Sequence, residues 1–168
     1  RTLREVERVI RNQPVEWGYV YDAHGVQTVR RRGASATLTF SSDELRVMKD
    51  AYLVHNHTLD PGFHPEHMTY SRLDLIFAVR DAVAELRAVA ETWRFVLQRP
   101  AAGWPVDEDL LLSVYNDVRD AVNREFIVAV AEGRMNEEDR ATALPHETIR
   151  RVAEWGRFTY RREHWPWR

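Results

Sequence analysis

The chain has 168 residues, of which 44% are hydrophobic and 30% charged, and this composition is typical of a folded domain with its own core and excludes a disordered chain. A formal net charge of -2 excludes a global attraction to nucleic acid or anionic lipid, and no apolar run reaches the roughly 18–20 residues of a membrane helix. The absence of cysteine excludes disulfides, cysteine nucleophiles and cysteine zinc ligands, so any metal ion must be held by His, Asp and Glu.

Up to about residue 100, helical and strand patterns alternate along the chain. Apolar residues at helical spacing predict a first helix over 2–12, with Thr2 as its N-cap and Glu5 completing a capping box. Aromatic and β-branched runs predict strands, and serines at candidate N-cap positions, at 41–42 and at 71, predict two further helices. The predicted strands are 15–22, 26–31, 36–40, 51–54, 86–89 and 93–97, and the predicted helices are 44–49 and 71–83.

After the proline- and glycine-containing segment 100–105, only helical patterns remain. We predict helices over 107–131, 136–143 and 146–160, with Pro145 separating the last two. The sequence therefore predicts an α/β (α+β) part over residues 1–99 and an all-helical C-terminal extension over 100–168, packed on it.

The segment that points to chemistry is His55-Asn56-His57, which comes directly after a predicted buried strand. Histidines two positions apart on a strand point the same way, so both imidazoles can reach one cation. Asp74, in the first turn of the following helix, can supply a third ligand. Three protein ligands with one open position are typical of catalytic zinc, which lowers the pKa of a water molecule. Glu16, at the start of the first strand, is our candidate for the carboxylate that transfers the proton.

Each of these residues also has an ordinary structural interpretation. Paired histidines are common on protein surfaces, and a serine that opens a helix, here Ser71, is usually an N-cap. An aspartate three residues later, here Asp74, usually supports the helix dipole. Glu16 would then be a solvated strand residue. The metal hypothesis depends on their combination at one strand-loop-helix junction.

The sequence resembles the JAMM motif of JAB/MPN metalloprotease domains. The matching features are, in this order, a glutamate on the first strand, His55-x-His57, a loop and Ser71-x-x-Asp74. The order of predicted elements over 1–99 is also similar, and the His-Asn-His triplet resembles the RadC-like branch found in bacterial and phage proteins. The resemblance implies a curved mixed β-sheet flanked by helices.

The same resemblance implies Zn²⁺ held by His55, His57 and Asp74. It also implies Glu16 as general acid and base, and Ser71 as a hydrogen-bond donor to the oxyanion. The family reaction is hydrolysis of a peptide or isopeptide bond, so we expect a peptide or protein substrate. Thr58 stands where the family usually has proline.

The loop between His57 and Ser71 is longer than in the family and contains His64, Glu66 and His67. These side chains could replace the expected ligands, bind a second ion or lie on the surface, and we favour a solvated or substrate-facing loop.

Our first hypothesis is therefore a zinc-dependent hydrolase. The alternatives are a non-catalytic binding module on a degenerate JAB fold and a metal-dependent nuclease effector. The arginines and aromatics near the C-terminus could contact nucleic acid, but we expect them to pack on their own domain.

The chain begins at Arg1 rather than Met and shows no signal peptide. We expect it to be part of a larger polypeptide, for example the effector or toxin domain of a bacterial or phage protein. We expect that protein to be cytoplasmic or delivered to another cell, and to have no membrane partner.

Overall fold

The structure is a computed structural model that describes residues 2–34, 37–58, 69–104 and 107–166. Within these residues, six strands form one mixed sheet accompanied by five helices, so the predicted α+β class is confirmed. The helices are α1 (Leu3–Ile10), α2 (Ser42–Leu45), α3 (Arg72–Arg80), α4 (Glu108–Ala131) and α5 (Glu137–Gly156). The strands are β1 (Trp17–Tyr21), β2 (Gln27–Arg32), β3 (Tyr52–Asn56), β4 (Glu85–Val89), β5 (Trp93–Gln98) and β6 (Thr159–His164).

The strand order across the sheet is β2-β1-β3-β4-β5-β6. Among the strands of the described ranges, only β3 and β4 are parallel neighbours, and α3 lies between them in the chain, as a parallel connection requires. The antiparallel register of β1 and β3 pairs Gly18 with His55. This central pairing brings the end of β3 next to the beginning of β1, where Glu16 lies.

Alternation along each strand gives the sheet two apolar faces. On β3, Leu53 belongs to a large core cluster that includes residues of α3, α4 and α5. Its neighbour Val54 belongs to a second cluster, formed with Val6 and Ile10 of α1. Helices therefore cover both faces of the sheet, and none of the helices in the described ranges has the length and apolar character needed to span a bilayer.

Capping boxes begin three of the helices. Thr2 and Glu5 form the predicted box at α1, which confirms that expectation. Ser41 with Glu44 and Ser71 with Asp74 form equivalent boxes at α2 and α3. In each box the side chains satisfy backbone N–H groups that the first helical turn leaves without partners.

Near residue 40, the predicted strand is wrong and the predicted helix is shorter than expected. The described part of the predicted strand 36–40, Thr37–Phe40, forms no strand of the sheet. Instead, Leu38 packs on Gly18, where a Cβ atom would lie 2.4 Å from the leucine side chain. The predicted helix 44–49 is a single turn, α2, and after it the N–H groups of Val47 and Met48 make turn hydrogen bonds to the carbonyls of Glu44 and Leu45.

We predicted an all-helical C-terminal extension, and this prediction is wrong because the extension also contains strand β6. The predicted break of the last helix at Pro145 is also absent. Pro145 lies inside one continuous helix, α5, because burial of Ile149 and Val152 outweighs a cost of about 3 kcal/mol for an interior proline. This helix ends at Gly156, its C-cap Arg157 has a left-handed φ of 55°, and the chain then enters β6.

Strand β6 was not predicted because it is an arginine-rich edge strand without apolar alternation. It pairs antiparallel with β5 over its whole length, from Thr159 opposite Gln98 to His164 opposite Trp93. An ion pair between Arg94 and Glu163 also joins the two strands. The segment after residue 100 thus contributes to the same sheet as the segment before it.

Candidate metal centre

The two histidines of the triplet lie on one face of the sheet at the end of β3. His55 is within the strand, and His57 follows it, with its backbone N–H donating to the carbonyl of Val89 at 2.9 Å. Their Nε2 atoms are 2.9 Å apart. Side-chain exposures of 6% and 10% show that both imidazoles are shielded from solvent.

Asp74 reaches the same point from the first turn of α3. Its Oδ1 atom lies 3.6 Å from Nε2 of His55, and its Oδ2 atom lies 4.0 Å from Nε2 of His57. One ligand atom from each of the three side chains therefore lies within 4.8 Å of the others. The structure thus brings together the three residues predicted as metal ligands.

These separations fit a single ion of zinc's size. Ligand atoms about 2.0–2.1 Å from a tetrahedral ion are about 3.3 Å apart. The 2.9 Å between the two Nε2 atoms and the 3.6 Å from His55 Nε2 to Asp74 Oδ1 are close to this value, whereas the 4.0 Å distance from His57 ends on the other oxygen, Oδ2. Two imidazoles and a carboxylate are also a donor set that zinc accepts, with a fourth position left for water or substrate. The three side chains could therefore hold zinc with small adjustments.

The histidines are electrostatically suited to bind a cation. Burial lowers the pKa of His55, although the charge of Asp74 opposes this effect. Burial, and then the neighbouring His55, lower the pKa of His57 to about 4, again against the attraction of Asp74. Both imidazoles are therefore neutral at pH 7, which is the form that coordinates metal.

Ser71 fixes the orientation of Asp74. The Ser71 hydroxyl donates to Asp74 Oδ2 at 2.7 Å and accepts from the Asp74 backbone N–H at 3.2 Å. The backbone N–H of Ser71 also donates to Oδ2, at 2.7 Å. Ser71 is thus both the N-cap of α3 and a partner of the carboxylate, and its predicted contact with an oxyanion stays a prediction.

Glu16 directly precedes β1 and borders the same cleft as the three candidate ligands. Continuing the β1–β3 register places Glu16 opposite His57, on the face that carries both histidines. Burial, and then the charge of Asp74, raise its pKa from 4.5 to about 7. A carboxyl group with such a pKa can both accept and donate a proton near neutral pH.

The cleft next to this cluster has a volume of about 730 Å³ and a largely apolar wall. Phe40 and Phe77 stack with ring centroids 5.9 Å apart, and Leu73, beside Asp74, is 68% exposed. The C-terminal extension contributes Tyr115 and Pro145. Sequence reasoning missed this wall, because its residues come from separate segments that no motif connects.

Three residues of the sequence hypothesis, His64, Glu66 and His67, lie outside the described residues. Thr58, which stands where the resembling family has proline, is buried beside His57. The chain matches no family model, and no curated protein or solved structure is significantly similar to it.

Proposed function

We propose that this chain is a zinc-dependent hydrolase of a peptide or isopeptide bond, with a site and fold of JAB/MPN type. The observation that carries the proposal is the convergence of His55, His57 and Asp74 within 4.8 Å. A glutamate with a raised pKa borders the same cleft. This combination is typical of metal-assisted hydrolysis.

In the proposed reaction, zinc would polarise the scissile carbonyl and make water nucleophilic at neutral pH. Glu16 takes a proton from the attacking water and passes it to the leaving amine. Its pKa near 7 suits both halves of this transfer. The Ser71 backbone N–H keeps its bond to the Asp74 carboxylate, while the Ser71 hydroxyl turns from Asp74 to donate to the oxyanion.

The apolar wall indicates the class of substrate. Leu38, Phe40, Phe77 and the exposed Leu73 form one side of the cleft that contains the candidate ligands. Burying an apolar side chain there contributes about 1.5–3 kcal/mol of binding free energy. We therefore propose a peptide or protein substrate with an aliphatic or aromatic side chain close to the scissile bond.

The metal part of the proposal is tested by elemental mass spectrometry of protein purified without chelator. We expect about one zinc per chain, and loss of this zinc in a His55→Ala/His57→Ala double variant. His24→Ala is the matched control, because His24 lies in the exposed β1–β2 turn and should leave the zinc content unchanged. A metal-free wild-type protein that also fails to take up added zinc contradicts the proposal.

The reaction is tested with fluorescence-quenched peptide mixtures that differ in the residues around the cleaved bond. We expect cleavage that favours apolar residues, stops with a chelator and returns with zinc. Glu16→Gln should retain zinc and lose at least about 100-fold in kcat, the scale of general acid–base catalysis. Nicking of plasmid DNA without peptide cleavage would instead indicate a nuclease.

A further inference from the structure

We propose that Asn56, the middle residue of the His-Asn-His triplet, is a positioning residue that sets the location of Glu16. This inference rests on the proposed role of Glu16 in proton transfer. Asn56 touches no candidate ligand with its side chain amide. Its side chain instead bonds to the backbone on both sides of the glutamate.

Asn56 lies on β3 between the two histidines, so alternation directs its side chain to the opposite face of the sheet. It is completely buried, with 0% exposure. Its Oδ1 atom accepts a hydrogen bond from the Trp17 backbone N–H at 2.7 Å. Its Nδ2 atom donates to the carbonyl of Val15 at 3.1 Å.

These two contacts hold Glu16 from one side, since Val15 and Trp17 are its neighbours in the chain. The other side is held by the loop after β2. Glu16 N–H donates to the carbonyl of Ala34 at 3.0 Å, and the Glu16 carbonyl accepts from Gly33 N–H at 2.8 Å. The backbone of Glu16 is therefore fixed between a side-chain amide and a backbone pair.

The amide acts where the backbone pairing of β1 with β3 ends, since the last pair of that register is Gly18 with His55. The backbone N–H of His57 continues the pairing of β3 with β4 through its bond to Val89, so it is not available to β1. The Asn56 side chain supplies one hydrogen-bond acceptor and one hydrogen-bond donor to the backbone on either side of Glu16. One short segment thus provides two candidate ligands on one face and the support for the candidate base on the other.

The inference is tested with Asn56→Ala, which removes both hydrogen bonds. The matched control is Thr148→Val, because Thr148 is also 0% exposed and donates one hydrogen bond, to the Leu144 carbonyl, in α5. Carboxyl-carbon NMR of the metal-free proteins follows the titration of Glu16. We expect the Glu16 pKa to fall from about 7 toward its ordinary value of 4.5 in Asn56→Ala, because the released side chain becomes hydrated, and to stay unchanged in Thr148→Val.

Two further measurements separate positioning from general destabilisation. Zinc affinity, measured by competition with a chelating dye, should change less than about threefold in Asn56→Ala, because the ligands lie on the other face. With a peptide that the wild-type protein cleaves, kcat of Asn56→Ala should fall about 100-fold at similar KM, as expected for a misplaced proton-transfer group. Thr148→Val should retain both values.

A folded Asn56→Ala protein with an unchanged Glu16 titration overturns the inference. If Asn56→Ala does not fold, Asn56→Leu, which has a similar shape but neither hydrogen bond, is measured in the same way. A normal Glu16 titration in that variant likewise overturns the inference. If the wild-type protein neither binds zinc nor hydrolyses peptides, the proposed function fails, and the titration still decides whether Asn56 positions Glu16.

Discussion

Glu16 occupies an environment that opposes its ionisation, and this has a consequence for stability. In the folded metal-free protein its pKa is about 7, against 4.5 ordinarily, because of burial and then the charge of Asp74. Between these values the folded chain keeps a proton that the unfolded chain releases. The free energy of unfolding therefore falls as pH rises from about 4.5 to 7 and stays lower above that range.

Glu16→Gln removes this ionisation, so the variant should be more stable than the wild type above pH 7. We expect a gain of about 1–2 kcal/mol after allowing for solvent screening, and little difference at pH 4. Urea denaturation of both metal-free proteins at pH 4 and pH 8 measures the difference. Glu132→Gln, at an exposed position after α4, is the control, and it should change stability by no more than about 0.5 kcal/mol. An equal gain in stability at both pH values would contradict a raised pKa for Glu16.

Ser71 links helix capping to the candidate metal centre. Ser71→Ala should cost about 1 kcal/mol of stability through the lost N-cap. It should also weaken zinc binding about 10- to 100-fold, because Asp74 loses the hydroxyl that orients it. Denaturation and chelator competition measure the two effects.

Ser41→Ala provides the control for this experiment. Ser41 forms the same capping box at α2 but does not border the cleft, so its loss should lower stability and leave zinc affinity unchanged. Equal zinc affinity in the two serine variants would show that Ser71 only caps α3.

At the scale of elements, a buried ionic cluster fastens α1 to the sheet. Glu7 of α1 is 0% exposed and accepts from Arg87 of β4 and Arg94 of β5, each at 3.0 Å. Arg94 also pairs with Glu163 of β6, and Arg87 with Glu85. One glutamate therefore connects a helix to two strands, and through Arg94 to a third.

Glu7→Ala leaves two largely buried guanidinium groups without their shared partner. We expect a loss of about 3–5 kcal/mol in the free energy of unfolding, measured by denaturant titration. Glu154→Ala, which removes an exposed partner of Arg150 on α5, should change stability by no more than about 0.5 kcal/mol. A similarly small effect at Glu7 would contradict the importance of the cluster.

At the scale of the whole molecule, the core joins residues from both sides of the predicted boundary at residue 100. Leu111, Ile149 and Phe158 belong to the same cluster as Leu53 and Leu86 of the central strands. Strand β6 covers the edge of β5. Separating the two parts would expose this apolar surface and one edge of the sheet.

We therefore expect residues 1–99 alone to aggregate or to remain unfolded. Co-expression with residues 100–168 as a second chain should restore a folded one-to-one complex, because the division falls in the loop between β5 and α4. Size-exclusion chromatography and circular dichroism measure the outcome. A monomeric, folded 1–99 fragment would show that the first part is an independent domain.

Local patterns in the sequence predicted much of the fold and the candidate ligands. Helix α1 with its Thr2 cap, the β4–β5 hairpin and the long helix α4 follow from periodicity and capping residues, which act over a few neighbours. The candidate ligand set follows from the spacing of His55 and His57 on a strand and from Asp74 in the first turn of a helix. These are properties of nearby residues, so one sequence suffices to predict them.

What only the tertiary structure decided depends on residues far apart in the chain. Strand β6 exists because β5 offers it an edge, and Pro145 stays within α5 because the core holds both halves of that helix. The support of Glu16 by Asn56 joins positions 40 apart, and the apolar cleft collects side chains from several elements. Hydrogen bonding and burial between distant segments determine these features, and local propensity carries no record of which segments will meet.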